Sequence, residues 1–274
     1  MNALRLGAFP LLLVATLAAA YAGVTELVDR RLALVLLVVF ITVVVASLER
    51  VIPLERDWNR ARRDLVTDIT YATVNGVFHP LLSAGLQLGC AALVPLLGTA
   101  DVWPAGWPLV AQAVLALLLR ELAHYGVHRL THERGGWLWR WHATHHRAER
   151  LYWLNSNRLH VMNIVVDAVT GIVPLLLLGI SPDALFVLVL VVAATNSWAH
   201  ANVDFRVGPL LWVFSLPRLH RWHHSRAHDE ACHNYGDVLI VWDWVFGTRH
   251  EPDAAPVALG LHRNSAPTGR PGRG

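Results

Sequence analysis

The chain has 274 residues, of which 54% are apolar and 16% charged, with a formal net charge of +3. Globular proteins carry about 25% charged residues, so this balance argues against an ordinary water-soluble domain and for a chain that meets lipid. The 23 basic residues are all Arg and gather beside apolar blocks, which suits membrane topology better than nucleic-acid binding.

Six apolar segments follow one another along the chain: 8–28, 32–48, 76–97, 108–126, 162–180 and 183–199. A bilayer-spanning helix needs about 20 such residues, so four to six membrane segments are expected. The first two, joined by only Asp29, Arg30 and Arg31, read as a membrane hairpin over residues 1–48 rather than a cleaved leader. The Arg pair at its tip leaves open whether the hairpin spans fully or is re-entrant. The fourth segment carries Arg120, Glu121 and His124 near its end. Arg50, Arg56, Arg60, Arg62 and Arg63 follow the second segment, and Arg129, Arg134, Arg140, Arg147, Arg150 and Arg158 follow the fourth, whereas 98–107 and 181–182 have no basic residue. Under the positive-inside rule the Arg-rich segments and the N-terminus face the cytoplasm, and the expected location is a bacterial inner membrane. Cys90 and Cys232 suggest neither a disulfide framework nor a thiolate metal site. Residues 250–274 end in HRNSAPTGRPGRG and read as a disordered tail.

The histidines carry the chemistry. All but His79, His250 and His262 lie between residues 124 and 233. The pattern His-x-x-His-His occurs at His142, His145 and His146 and again at His220, His223 and His224, where chance predicts roughly 0.05 copies. His128 and His132 are four apart, on one helical face, with His124 extending the stripe. Each triple can likewise converge from one face. Neutral imidazole is the commonest side-chain metal ligand, and eight imidazoles exceed the four that one tetrahedral zinc takes, which indicates two metals. The boxes are built of histidine rather than of the glutamates that bridge metals in carboxylate-bridged di-iron bundles, so a His-dominated site is expected. His132-Glu133 does not continue into a metalloprotease helix, because residue 136 is Gly. Adjacent His pairs also suit haem poorly.

This order of boxes resembles the fatty acid hydroxylase/sterol desaturase superfamily of membrane di-iron oxygenases over residues 49–249. Glu121 and Tyr125 before the first box, LWRWHATHH at 138–146, NYG at 234–236 and WDWVFGT at 242–248 add to the resemblance. Glu121 where Asp is usual, Val161 where Pro is frequent and Cys232 where a polar residue is usual depart from the pattern. The resemblance implies an all-α polytopic bundle with a cytoplasmic helical cap. It assigns ten metal ligands: the eight box histidines, with His160 (Arg158-Leu-His160) and His200 (His200-Ala-Asn202) completing the set. Glu121, His124, Arg158, Asn202, His228, Asn234 and Asp243 are expected beside the ligands or in the cap, Asp243 by holding a ligating imidazole.

The implied cofactor is a pair of non-haem irons with O2 as co-substrate, and the implied reaction is hydroxylation or desaturation at an unactivated C–H of a lipid entering from the bilayer. The sequence contains no haem, iron–sulfur or dinucleotide motif, so a separate ferredoxin- or cytochrome-type donor is expected. Trp137, Trp139, Trp141 and Trp153 suit interfacial anchoring or packing, and Arg140, Arg147 and Arg150 a head-group contact or solvated charge. The rival reading is a non-catalytic metal-binding or metal-transport protein, which would place its ligands along the middle of membrane spans.

Overall fold

A computed structural model describes residues 1–99, 101–253 and 255–261. The described residues are helical with no strands, and four helices are long and apolar enough to cross a membrane. These are α1 (Asn2–Val24), α2 (Arg30–Val51), α3 (Leu65–Leu97) and α4 (Leu109–Arg134).

The turn between α1 and α2 is closed by Asp29, whose Oδ1 accepts from the backbone N–H of Arg31 and Leu32 and so caps α2. On α2 the buried residues Ala33, Leu37, Ile41, Val45 and Leu48 recur every three or four positions. Val35, Leu36, Val39, Phe40 and Val43 are exposed on the remaining surface, which suits lipid. The buried stripe packs with Phe9 and Leu12 of α1 and with Leu190, Ala194 and Trp198 of α8 (Pro182–Trp198) into one apolar core.

α3 has 33 residues, about 50 Å of helix, against a hydrocarbon thickness of about 30 Å. It begins at Leu65, well before the apolar segment at 76–97, and its early residues Asp68 and Asn75 are buried against the rest of the protein. α4 likewise continues past its apolar part, carrying the first histidine box on its last turns. A short α5 (Gly136–His146) follows. α6 (Val161–Asp167) runs through a π-helical turn at Ala168–Ile172 into α7 (Val173–Leu177). At 17 residues, Val161–Leu177 and Pro182–Trp198 are apolar but shorter than the four spans.

After α8 the chain forms an irregular layer with three short helices, α9 (Pro217–His223), α10 (His228–Ala231) and α11 (Val241–Val245). Part of the expected tail belongs to this layer. Leu259 is buried, Arg226 N–H donates to the Ala258 carbonyl, and Gly260 N–H donates to the His224 carbonyl. These contacts hold residues 258–260 beside the third box, so the expected tail boundary at 250 falls too early. His262 and the following residues lie outside the described residues.

The charged interruption in α4 ties this layer to the membrane helices. Arg120 pairs with Glu121 and, at 2.6 Å, with Asp237, while Glu121 Oε2 accepts from the backbone N–H of Val238 and Leu239. Gly171, in the π-helical turn, leaves room for the Arg120 stem, which a Cβ there would meet at 3.2 Å. Removing one member of a buried ion cluster leaves the others uncompensated. Arg120→Ala is therefore expected to cost about 3–5 kcal/mol of stability, measured by thermal unfolding in detergent.

Candidate metal centre

Three elements bring the histidine boxes together. The first box occupies the end of α4. Gly135 and Gly136, both at positive φ (65° and 71°), turn the chain sharply into α5, which carries the second. Pro217 opens α9, which carries the third. His200 enters from just beyond the end of α8.

The nine imidazoles form two groups. His128, His132, His142, His146 and His223 make one, and His145, His200, His220 and His224 the other, with the candidate ligand atoms within 4.8 Å of one another in each group. Each His-x-x-His-His box is therefore shared between the groups. Its outer pair, spaced i and i+4, joins one group, and its middle histidine reaches the other. Convergence of a whole box from one helical face, as expected from spacing, is corrected here. Residues i and i+4 stack on one face, while i+3 is rotated away by a fraction of a turn that two adjacent sites can use. The groups touch where the His146 and His224 rings stack at 4.4 Å.

Hydrogen bonds on the outer side of four rings set their chemistry. His128 Nδ1 donates to the Tyr235 carbonyl at 2.8 Å, and His223 Nδ1 to the His233 carbonyl at 3.0 Å. His142 Nδ1 donates to Asn163 Oδ1 at 2.9 Å, and the Asn163 amide is oriented by donating to Asp167. His200 Nδ1 donates to Asn155 Oδ1 at 2.9 Å, an oxygen that also accepts from Tyr152 N–H while Asn155 Nδ2 donates to the Arg150 carbonyl. With the proton fixed on Nδ1, each ring turns a bare Nε2 lone pair inward, the arrangement that orients a metal-ligating imidazole.

A pair of metal ions fits these residues. Both nitrogens of His132, Nε2 of His223, and Nδ1 of His145, His220 and His224 are buried without a hydrogen-bond partner. Nitrogens within each group approach at 2.9–3.1 Å, as in His128–His142, His142–His146, His145–His200, His200–His220 and His220–His224. Right-angle ligation with bonds of about 2.1 Å places neighbouring nitrogens about 3.0 Å apart, whereas a tetrahedral ion places them about 3.4 Å apart. Five imidazoles in the first group exceed the four that a tetrahedral ion takes, which favours a higher-coordinate ion there.

Burial keeps these rings neutral, as ligation requires. It pulls His142 and His220 down to about 4. Burial first, and the neighbouring imidazoles second, hold His145, His146, His200, His223 and His224 well below the usual histidine range.

Other expected site residues lie elsewhere. His160 joins neither group: its Nδ1 accepts from Met162 N–H and caps α6, and its ring stacks on Trp141. Asp243 touches no imidazole but accepts from Tyr235 N–H, Gly236 N–H and the Thr248 hydroxyl, thereby shaping the turn whose carbonyl holds His128. Glu121 binds backbone and Arg120, as described above. Asn202 spans Glu55 N–H and carbonyl, Asn234 donates to the Leu219 and His250 carbonyls, and Arg158 pairs with Asp68 at 3.3 Å. His228 contacts Cys232, away from both groups. His124 is the nearest of the set, edge-on to His128 and 3.5 Å from Asp167, beside a cavity of about 20 Å³ that also meets His128 and His142. Arg150 is buried on Asp64 rather than solvated, and Trp139 packs on His132 and His146.

The acceptors Asn155 and Asn163 escape a search for ligand types, because asparagine is common in turns. The i,i+4 pair Asn163–Asp167 on α6 is the signal that could have revealed one of them. Buried Glu49 also escapes notice: it accepts from Trp153 N–H and Asn202 N–H, joining α2 to the segments around Asn155 and His200.

Two outcomes are expected. Metal-free protein is most stable above about pH 6.5, where unfolded histidines are neutral; below it the unfolded chain takes up protons that His142 and His220 refuse until about pH 4. Unfolding of chelator-treated protein should therefore become easier as pH falls across that window, and a flat profile would contradict it. Gly236→Ala sets a Cβ 2.0 Å from the Leu239 carbonyl and must displace the Tyr235 turn. Loss of the His128 acceptor should weaken metal binding by about 10–100-fold, measured by metal titration.

Comparisons with known proteins cover the same segment of the chain. The family model "Fatty acid hydroxylase" matches residues 113–248, which include both groups of imidazoles. Ornithine lipid hydroxylase OlsE of Rhizobium tropici is 37% identical over 214 residues, covering 76% of this chain and 64% of that protein. Human alkylglycerol monooxygenase is 31% identical over 166 residues, 58% of this chain and 34% of the relative. Delta(7)-sterol-C5(6)-desaturase of Nicotiana tabacum is 26% identical over 157 residues, 56% of this chain and 55% of the relative. The chain thus spans less than two thirds of the length of each of these relatives. No solved structure matches it. Residues 113–248 are a fatty acid hydroxylase domain, and through it the chain belongs to the fatty acid hydroxylase/sterol desaturase superfamily.

Proposed function

We propose that this protein is a membrane-bound non-haem di-iron oxygenase that oxidises an unactivated C–H position of a membrane lipid. The observation that carries the reading is the pair of buried imidazole groups, five and four, gathered from the end of membrane-length α4, from the short α5 and α9 and from just beyond α8, within a fatty acid hydroxylase domain. His128, His132, His142, His146 and His223 would hold one ion, and His145, His200, His220 and His224 the other. All-imidazole ligation suits several transition metals, and five imidazoles in one group favour iron over tetrahedral zinc.

Two ferrous ions, when bound, supply O2 reduction and the oxidising power for C–H cleavage. The protein's residues do the rest. The Tyr235 and His233 carbonyls and the Asn155 and Asn163 amides keep four rings oriented, so the site needs little rearrangement before chemistry. Burial excludes bulk water. The cavity beside His128 and His142, with Leu138 and Trp141 in its lining, offers an approach for a small reactant.

Residues 49–249 form the catalytic unit in this reading, with 1–48 as membrane anchor and the boxes on the cytoplasmic side, where a soluble ferredoxin- or cytochrome-type donor can reach them. The relatives named hydroxylase and monooxygenase, including the 37% match over most of the chain, favour oxygen insertion over desaturation and an ornithine lipid as the first substrate to test. A metal-transport role fits less well, because the imidazoles gather in two closed groups rather than along a span.

Lipid profiles of a bacterial host with and without the gene should show a lipid gaining the mass of one oxygen atom. Loss of two hydrogens instead would indicate desaturation. His145→Ala or His223→Ala should abolish that product and lower iron content, whereas His262→Ala should change neither. Unchanged lipids in a host that supplies donor and candidate lipids, or equal activity in all three variants, would overturn the assignment.

A further inference from the structure

The two imidazole groups differ in what they can do without a metal. In the five-membered group, His128 and His142 both hold their proton on Nδ1, given to the Tyr235 carbonyl and to Asn163. Their bare Nε2 lone pairs then face each other at 2.9 Å. Two neutral acceptors at that distance repel, and a cation between them relieves the contact, while His146 Nε2, 3.0 Å from His142 Nε2, is the ring placed to donate to it. His223 is fixed in the same way by the His233 carbonyl, and its Nε2 has no protein partner.

In the four-membered group only His200 has an acceptor on Nδ1, namely Asn155. Nδ1 of His145, His220 and His224 has none, so nothing holds a proton there. Moved to Nε2, that proton makes a hydrogen bond inside the group. His145 and His220 both lie within reach of the His200 lone pair, at 3.1 and 3.0 Å, and His224 lies 3.1 Å from His220. The single His200 lone pair takes one such proton, and the three rings without an Nδ1 acceptor stay free to turn or change tautomer, so this group presents one fixed lone pair to a metal where the first presents three.

We propose that the two ions are held unequally, the five-imidazole group keeping its ion long after the four-imidazole group has released its own, with Asn163 acting as a positioning residue for the tighter site. The proposal rests on the di-iron reading above.

The test uses full-length protein in detergent, loaded anaerobically with ferrous iron and mixed with excess ferrous chelator. Chelate absorbance reports release, and elemental analysis counts the iron retained. Two phases of equal amplitude are expected, separated by roughly tenfold or more in rate. His224→Ala should remove the fast phase and keep the slow one. Asn163→Ala should accelerate the slow phase by about 10–100-fold, the range for losing a hydrogen-bond partner of a ligating histidine. Asp167→Ala, which frees the Asn163 amide to turn, should act on the same phase if Asn163→Ala does not fold.

Release of two irons in a single phase would overturn the inequality while leaving the di-iron reading intact. So would loss of the slow phase in His224→Ala. Saturation of the wild-type protein at one iron per chain or fewer would instead overturn the di-iron reading itself.

Discussion

A buried imidazole has two nitrogens, and each needs a partner once water is gone. In this fold the outer nitrogens of His128, His142, His200 and His223 meet oxygen acceptors, which leaves the inner nitrogens of the first three turned toward other histidines at distances near 3 Å and that of His223 without a partner. Neutral rings in that arrangement favour a cation between them. The surrounding fold is organised to hold that arrangement, because a ring free to rotate or to exchange tautomers would hydrogen-bond to its neighbour instead.

The membrane helices contribute rigidity more than chemistry. α4 extends beyond its apolar part and presents His128 and His132 from a continuous helix, so the first box inherits the precision of a long element. The Arg120, Glu121 and Asp237 cluster fastens the C-terminal layer to that same helix, and Asp243 then shapes the turn whose carbonyl meets His128. Glu49 performs a similar service from α2 by holding the backbone at Trp153 and Asn202. Charges that look like flaws in apolar helices are thus satisfied joints between membrane-length helices and the layer that closes the site.

Much of this was legible from the chain alone. Apolar blocks mark the membrane helices because lipid tolerates few charges, and the improbable repetition of His-x-x-His-His marks the candidate ligands because few other uses justify so many buried imidazoles. The limits are equally physical. Spacing shows that His142 and His146 share a helical face, but not that His145 serves a second group across the same helix. His160 and His200 look equivalent in sequence, each in a short motif beside an Arg or Asn. His200 follows α8 into the centre, whereas the backbone at His160 begins a helix and uses the ring as its cap. Asn155 and Asn163 carry no ligand signature, since their part is to accept a proton on the far side of a ring.

Local chemistry therefore determined the family, the helical membrane architecture and the eight box histidines as candidate ligands, because hydropathy and ligand type are properties of individual residues and short spacings. Only the tertiary structure decided how those histidines, with His200, divide into five and four, which rings are locked and which are free to turn, and where the buried charges find partners. Those outcomes depend on which helices lie side by side and on which backbone carbonyls arrive at 3 Å, distances that segments far apart in the chain set together.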